Sequence, residues 1–207
     1  MSISLFSGTP GSGKSYHAAC EIWSWLPRKD CGLICNFPLN QDILKQRKKC
    51  RFLYVDNSRL SVDLLIAYAK TYHKIGMERQ TLVVIDEAQI LFNARSFADK
   101  DRQKWCTFFS QHRKYGYDFI LIAQFDRMLD RQIRCLIEYD VKHRKLNNYG
   151  LGGFLLSLFT CLSTWFVAIQ YWYGGNNLKL DSSMIRFSKK IANIYNSYEL
   201  FTGVQEK

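Results

Sequence analysis

Short apolar runs alternate with amphipathic stretches along the first 145 residues of this 207-residue chain. The apolar runs are typical of buried β-strands and cover residues 3–6, 32–37, 52–56, 82–86 and 119–123. Between them, apolar side chains recur at helical spacing over residues 14–26, 59–75 and 100–115. This alternation predicts an α/β fold with a mainly parallel central sheet flanked by helices, and a ligand site at the carboxyl ends of the strands.

The segment between the first strand and the first helix has the pattern of a phosphate-binding loop. It matches G-x-x-x-x-G-K-[ST] without a mismatch, through Gly8, Thr9, Pro10, Gly11, Ser12, Gly13, Lys14 and Ser15, with Tyr16 next in the chain. Glycines let the backbone N–H groups of such a loop turn inward around phosphate oxygens. The pattern therefore predicts a nucleoside triphosphate site in which Lys14 contacts the β- and γ-phosphates and the Ser15 hydroxyl binds Mg²⁺.

Two carboxylates stand at the end of the apolar run 82–86. Asp86 closes the run and Glu87 follows it. In P-loop ATPases such a strand lies beside the strand that leads into the loop, so we expect Asp86 to hold Mg²⁺ through water. Glu87 is expected to act as the base that polarises the attacking water. The alternative for this acidic pair is an ordinary solvated helix start.

Two more polar residues are catalytic candidates. Gln124 follows the fifth strand, where an amide can sense the γ-phosphate or order the lytic water; a plain strand-end amide is the alternative. Arg113, near the end of the third helix, is a candidate arginine finger for the pocket of a neighbouring subunit, with Arg95 and Arg102 as rivals. A cation that interacts with the helix dipole is the simpler explanation of Arg113.

The composition fits one main domain with an anionic partner. Hydrophobic residues make up 47% of the chain, and its formal net charge is +11. Five of the seven residues at 45–51 are basic, which fits nucleic acid, a lipid surface or simply a solvated helix end. The seven cysteines show no C-x-x-C pair and no paired spacing with histidine, so we expect neither a zinc site nor a disulfide framework, as in a reducing cytosol.

Residues 146–207 are expected to form a C-terminal extension beyond the ATPase domain of residues 1–145. The stretch 154–173 is mostly apolar and long enough to cross a bilayer, and basic residues precede it. Its polar residues and its β-branched, aromatic end before a Gly-Gly-Asn-Asn turn instead favour a β-hairpin with strands at 164–173 and 178–187. An aromatic contact surface for other proteins is a third interpretation. A helix is expected at 188–199.

These motifs together resemble the zonular occludens toxin family. Besides the phosphate loop, the matching residues are Asp86-Glu87-Ala88-Gln89, the block His112-Arg113-x-x-Gly116-x-Asp118 running into Ala123-Gln124, and Tyr195-x-x-Tyr198-Glu199-x-Phe201. The two nucleotide motifs are generic, whereas the His-Arg-x-x-Gly block and the tyrosine-rich end are specific. The resemblance covers nearly the whole chain and implies a RecA-like P-loop motor of the FtsK/HerA type.

The resemblance also implies a function and partners. Members of the family include assembly ATPases of filamentous phages, which use ATP and Mg²⁺, work as homo-oligomeric, hexameric rings, and lie on the cytoplasmic side of the bacterial inner membrane. They couple ATP hydrolysis to stripping packaging protein from single-stranded phage DNA and to extrusion of the coated virion. Phage coat and packaging proteins, single-stranded DNA and the host membrane are thus the implied partners. Family members commonly continue past the tyrosine-rich end into a membrane-spanning helix and an outer domain, whereas this sequence stops at Lys207. The stretch 154–173 is then the remaining candidate for a membrane segment, although strands are favoured there.

Two other functions stay open on the sequence. A DNA-translocating ATPase would grip nucleic acid directly through residues 45–51, and its DNA binding would depend steeply on salt. A non-catalytic, nucleotide-gated scaffold with a toxin-like binding role would bind ATP without turning it over.

Overall fold

One mixed β-sheet organises the part of the chain that the structure, a computed structural model, describes: residues 1–95, 99–145, 164–174 and 178–195. Its eight strands are β1 (Ile3–Ser7), β2 (Gly32–Cys35), β3 (Arg51–Tyr54), β4 (Thr81–Ile85), β5 (Tyr117–Ile122), β6 (Tyr139–Lys145), β7 (Trp165–Trp172) and β8 (Leu178–Arg186). The helices are α1 (Lys14–Trp25), α2 (Gln41–Arg47), α3 (Val62–Tyr72), α4 (Ala88–Leu91), α5 (Asp99–Tyr115), α6 (Arg131–Arg134) and α7 (Lys189–Ala192).

The strand order is β3-β2-β4-β5-β1-β6-β7-β8. The first six strands in this order pair in parallel, and β7 and β8 are antiparallel. The predicted α/β fold with a mainly parallel sheet and a C-terminal antiparallel extension is therefore confirmed. The parallel strands β1–β6 define two edges of the sheet, which we call the carboxyl edge and the amino edge.

The position of β4 corrects one expectation. The strand that ends at Asp86 does not lie beside β1, because β5 pairs with both of them: Phe119 is in register with Ile3 on one side and with Val83 on the other. All three strands run in the same direction, so their carboxyl ends still meet at one edge. The acidic pair thus stays on the side of the phosphate loop, one strand further away.

Two apolar clusters hold the layers together. On one face of the sheet, α3 and α5 cover strand residues such as Leu5, Val83 and Leu121, and on the other face α1 covers Phe6, Val84 and Ile122. Side chains alternate between the faces of a strand, so strands covered on both sides are apolar throughout. This is why β4 and β5 are readable from their composition.

Strand β6 escapes the apolar pattern. Its sequence is Tyr-Asp-Val-Lys-His-Arg-Lys, and two of its three buried residues, Asp140 and His143, are polar. Ser7 satisfies the Asp140 carboxylate by donating its hydroxyl over 2.6 Å. A buried polar side chain that is hydrogen-bonded to the neighbouring strand therefore replaces the apolar residue from which a strand is normally recognised.

The C-terminal extension continues the same sheet. The eight residues of β7, within the stretch 154–173, form a strand and not a helix, while residues 154–163 lie outside the described ranges. Among the described residues, no helix combines the length and the apolar character needed to cross a membrane. The expected helix at 188–199 is shorter than predicted: α7 ends at Ala192, and residues 196–199 are not described.

Candidate nucleotide site

The glycine-rich loop leaves the end of β1 and enters α1 at Lys14. Gly8 and Gly13 have φ values of +143° and +100°, in the region that favours glycine. A Cβ atom on Gly8 would stand 2.6 Å from the carbonyl oxygen of His143, and one on Gly13 would stand 2.5 Å from the ring of Phe166. The loop is thus packed closely on β6 and β7, and only glycine fits at both positions.

The loop fits a bound anion. The backbone N–H of Gly8 donates to the carbonyl of Gln124 over 3.1 Å, which anchors the loop to the end of β5. The Ser12 hydroxyl is buried and has no hydrogen-bond partner among the described residues. A buried polar atom without a partner needs an explanation, and a phosphate oxygen would supply the missing partner. Thr9 and Pro10 are exposed at the tip of the loop.

Lys14 is folded back onto the loop. Its Nζ donates to the carbonyl oxygens of Gly8 and Thr9 over 2.8 and 3.1 Å. Burial lowers the pKa of Lys14, and the nearby carboxylates of Asp86 and Glu87 oppose that shift. The ammonium group therefore lies between the loop and the acidic pair, where a cation can contact terminal phosphate oxygens.

The acidic pair lies at the end of β4. Asp86 is 5% exposed, and burial raises the pKa of its carboxyl group, although hydrogen bonds from Tyr195 and the Glu87 backbone act against this. The Asn36 side chain holds the Asp86 backbone from both sides, accepting from its N–H over 2.7 Å and donating to its carbonyl over 2.8 Å. These two hydrogen bonds fix the turn at which the acidic side chains leave the strand.

Glu87 has an unusual backbone. Its φ is +49°, in the left-handed region that is costly for a residue with a Cβ atom, and its carboxylate accepts a hydrogen bond from the Gln89 amide. Strained backbones of this kind occur often at functional sites. Asp86 and Glu87 both line the cavity at the carboxyl edge.

A single cavity of about 760 Å³ joins these groups. Lys14, Ser15, Asp86, Glu87 and Gln124 all line it. The structure therefore brings together the candidates that the sequence placed on three separate segments. One hydroxyl and one carboxylate suit Mg²⁺, which keeps several water ligands and binds through phosphates, and the described residues contain no cluster of three or more His, Cys, Asp or Glu.

The candidate arginines lie apart from this cavity. Arg113, at the end of α5, pairs with Glu138 over 2.8 Å at the amino edge, and its side chain is 58% exposed. Arg102 pairs with Asp130 over 3.0 Å. Arg95 is exposed in the loop after α4, next to the segment that follows Gln124.

The basic residues at 45–51 run from the last turn of α2 to the start of β3, and none of them lines the cavity. Arg47 packs over the ring of Trp23 at 4.2 Å, and Arg51 over that of Tyr72 at 4.9 Å. Two of the five cations are thus held by aromatic rings of the fold, while Lys45, Lys48 and Lys49 are exposed.

Comparison with known proteins identifies the family. A sequence model described as "Zonular occludens toxin (Zot)" matches residues 2–198. The chain belongs to the zonular occludens toxin family. This confirms the resemblance drawn from the nucleotide motifs, the His-Arg-x-x-Gly block and the tyrosine-rich end.

Zot-family relatives extend beyond this chain. The Gene 1 protein of Enterobacteria phage M13 is 30% identical over 167 residues, which cover 77% of this chain and 47% of that protein. The chain thus spans about half the length of the curated relatives it matches.

Solved structures support the Zot fold. The N-terminal domain of zonular occludens toxin from Neisseria meningitidis aligns with a TM-score of 0.58 at 21% identity, covering 94% of this chain and 98% of that one. The genome packaging NTPase B204 from Sulfolobus turreted icosahedral virus 2, solved with ATP-gammaS, aligns with a TM-score of 0.54 at 16% identity, covering 88% and 96%. At these identities the likeness concerns the fold, which is that of a P-loop NTPase domain.

Sequence reasoning missed one residue at the centre of the site. Tyr195 donates its hydroxyl to the Asp86 carboxylate, and its ring lies 4.1 Å from that of Phe37. The segment is anchored one residue earlier, where the Ile194 side chain is fully buried and its carbonyl accepts from Asn40 N–H over 3.0 Å. Tyr195 belongs to the tyrosine-rich end of the family pattern, which was the available signal, but the pattern gives no role for it.

A buried histidine pair behind the loop was also missed. His17 Nδ1 lies 2.8 Å from His143 Nε2, and His143 Nδ1 lies 3.2 Å from the Ser7 carbonyl. Burial lowers the pKa of His17 to about 4 and that of His143 to about 3, so both rings are neutral at pH 7. His143 then donates to Ser7 and accepts from His17, which ties α1 to the strands β1 and β6 beneath the loop.

Proposed function

We propose that this chain is the ATP-hydrolysing subunit of a motor for filamentous phage assembly and export. The observation that carries the proposal is the single cavity in which the glycine loop, Lys14, the acidic pair and Gln124 meet. Membership of the zonular occludens toxin family and the likeness in fold to packaging NTPases support the same activity.

The residues divide the work as follows. Inward-facing backbone N–H groups of the loop and the Lys14 ammonium hold the triphosphate, with Tyr16 bordering its inner end. Ser15 and Asp86 would hold Mg²⁺, which neutralises charge on the β- and γ-phosphate oxygens when bound. Glu87 orients the attacking water and accepts its proton, and Gln124 positions that water or the γ-phosphate.

Among the residues that the structure describes, no arginine lines the cavity. Arg113 is exposed and lies at the far edge of its own sheet, so it could serve only the pocket of a neighbouring subunit. We therefore infer a homo-oligomeric, hexameric ring in which Arg113 exchanges Glu138 for the γ-phosphate of its neighbour. An isolated subunit should then hydrolyse ATP slowly.

The relatives support a proposal for the place of action. The matched curated proteins are gene 1 proteins of phages, and the chain covers only part of them. We propose work at the cytoplasmic face of the bacterial inner membrane, in contact with phage coat and packaging proteins and with single-stranded DNA, coated or bare. The net charge of +11 favours such anionic partners.

The decisive test is Glu87→Gln. Loss of the base should reduce ATP turnover by roughly 10²–10⁴-fold, while ATP binding is retained because the loop and Lys14 are untouched. Both are measured on purified protein, by phosphate release and by binding of a fluorescent ATP analogue. Glu78→Gln, an exposed acid before β4, is the matched control and should behave like wild type.

The same variant separates the alternatives. If Glu87→Gln still supports virion production in a complementation assay, the protein is a nucleotide-gated scaffold and not a motor. A direct grip on DNA is favoured by the exposed lysines 45, 48 and 49. If the chain grips DNA directly, replacing all three lysines by Ala should reduce the slope of log affinity for DNA against log salt concentration. The reduction should be about 0.7 per lost contact on a single strand.

A further inference from the structure

The cavity that contains Lys14 and Asp86 continues past the phosphate loop to an aromatic end. Tyr16, Phe166 and Phe187 line that end, and they come from α1, from β7 and from the residue after β8. The Tyr16 ring lies 5.6 Å from that of Phe166 and 5.1 Å from that of Phe187. A site for phosphate and metal alone would have no use for an apolar, aromatic wall.

Hydrogen bonds hold this wall in place. The Tyr16 hydroxyl donates to the carbonyl of Arg186 over 2.9 Å and accepts from the N–H of Ser188 over 2.7 Å. The two bonds flank Phe187 and fix the backbone on both sides of it. Burial accordingly raises the pKa of Tyr16 to about 12, so the hydroxyl keeps the proton that it donates.

The two phenylalanines differ in what they offer a ligand. Phe166 is 8% exposed and packs against Gly13, so it forms the floor of the aromatic end. Phe187 is 37% exposed and lines the same cavity, which leaves ring surface open to a planar partner. Aromatic side chains stack on nucleobases, because every base offers a planar π-face.

We propose that the aromatic end is the base subsite of the nucleotide pocket, and that the purine of the bound nucleotide stacks on Phe187. The inference rests on the proposed ATP site, because the phosphates must occupy the loop for the nucleoside to reach Phe187. Tyr16 directly follows Ser15, so the wall begins where the loop ends. The antiparallel extension thereby contributes Phe166 and Phe187 to the ligand site.

The test compares two ligands that share the phosphates and differ in the nucleoside. Binding of Mg-ATP and of Mg-tripolyphosphate is measured by calorimetry on the full chain. Phe187→Ala should weaken ATP binding by about tenfold, the loss expected for one stacked base, and leave tripolyphosphate binding unchanged. Phe187→Trp should retain ATP binding, since it keeps an aromatic face.

Two further variants serve as controls. Phe187→Leu keeps apolar volume without an aromatic face, so it should show the same selective loss if Phe187→Ala fails to fold. Met184→Ala removes an exposed apolar side chain of β8 and should leave both affinities unchanged.

An equal loss for both ligands, or no loss for ATP, would overturn the base subsite while the phosphate site stands. Wild-type protein that binds neither ligand would overturn the proposed nucleotide site together with it.

Discussion

The two edges of the parallel sheet carry polar groups of different kinds. At the carboxyl edge, Asp86 is buried, its pKa is raised by burial, and Asn36 and Tyr195 hold it in place. At the amino edge, exposed cations form ordinary ion pairs: Arg79 with Asp118 over 3.2 Å and Arg113 with Glu138 over 2.8 Å, the arginine side chains being 61% and 58% exposed.

The carboxyl edge thus has the buried polar groups that a reaction needs, whereas the amino edge has only ion pairs exposed to solvent. Ion pairs in contact with water contribute little to stability, because solvent screens them and ordering the side chains costs entropy. Burying a carboxylate costs free energy, which a fold sustains where the group is held by specific partners. Substitutions at the carboxyl edge should therefore act on turnover and stability, while those at the amino edge should be silent in an isolated subunit.

Lys14→Ala should have the largest effect on ATP turnover among the substitutions at the carboxyl edge. We expect ATP turnover to fall by about a thousandfold, because the variant loses the cation aimed at the developing charge on the phosphates. The fold should survive, since Lys14 is only half-buried. Phosphate release measures the effect, and Arg79→Ala at the amino edge is the matched control. Unchanged turnover in Lys14→Ala would remove the enzyme assignment.

Arg113→Ala tests whether the amino edge acts on a neighbour. Turnover of the assembled protein should drop by about a thousandfold, at the lower end of what a trans arginine supplies, without a change in ATP binding. Arg95→Ala serves as the comparison.

Mixing sharpens this experiment. Inactive Lys14→Ala and Arg113→Ala subunits should recover part of the activity when combined, since some pockets then pair an intact loop with an intact arginine. The idea fails if Arg113→Ala protein is active by itself and mixing it with Lys14→Ala protein brings no recovery. Arg113 would then serve only in its ion pair with Glu138.

His143→Gln should alter the response of stability to acid. The pKa of His143 lies near 3 in the folded chain, against an ordinary value of 6.5, because burial and the neighbouring His17 and Lys14 oppose its protonation. The unfolded chain therefore takes up a proton first as the pH falls below 6.5, and stability is lost between about pH 6.5 and 3 by up to about 1.4 kcal/mol per pH unit.

Urea denaturation between pH 6.5 and 4.5 measures that slope. It should be shallower in His143→Gln than in wild type, whatever the absolute stability of the variant. Equal slopes would show that the ring is protonated without cost in the folded state.

Tyr195→Phe should have the smallest effect. It leaves a buried carboxylate without its hydroxyl donor, so we expect the free energy of unfolding to fall by about 1–2 kcal/mol. Tyr54→Phe, at a tyrosine that is 48% exposed, should cause no change. Equal denaturation midpoints for wild type and Tyr195→Phe would mean that water replaces the hydroxyl without loss.

The sequence predicts most of the carboxyl edge because its signals are local. The acidic pair and Gln124 each follow a strand that is buried throughout, and the loop follows the mostly buried β1. What it cannot supply is the order of the strands, which depends on contacts between distant segments, and so the strand of Asp86 was expected one position too close to β1.

Residues from the extension were harder to foresee for a similar reason. Tyr195 reaches Asp86 across 109 positions of sequence, and Tyr16 hydrogen-bonds to Ser188 across 172. No periodicity encodes such contacts. Strand β6 was hidden by its buried Asp140 and His143, which are polar and stand where an apolar residue normally marks a strand.

The anchoring of Ile194 next to Tyr195 connects the Asp86 carboxylate to the last described segment of the chain. The hydrogen bond to Asn40 and the hydroxyl that contacts Asp86 come from consecutive residues. Pulling the downstream chain by about 3.5 Å, the reach of one extended residue, would be enough to detach that hydroxyl.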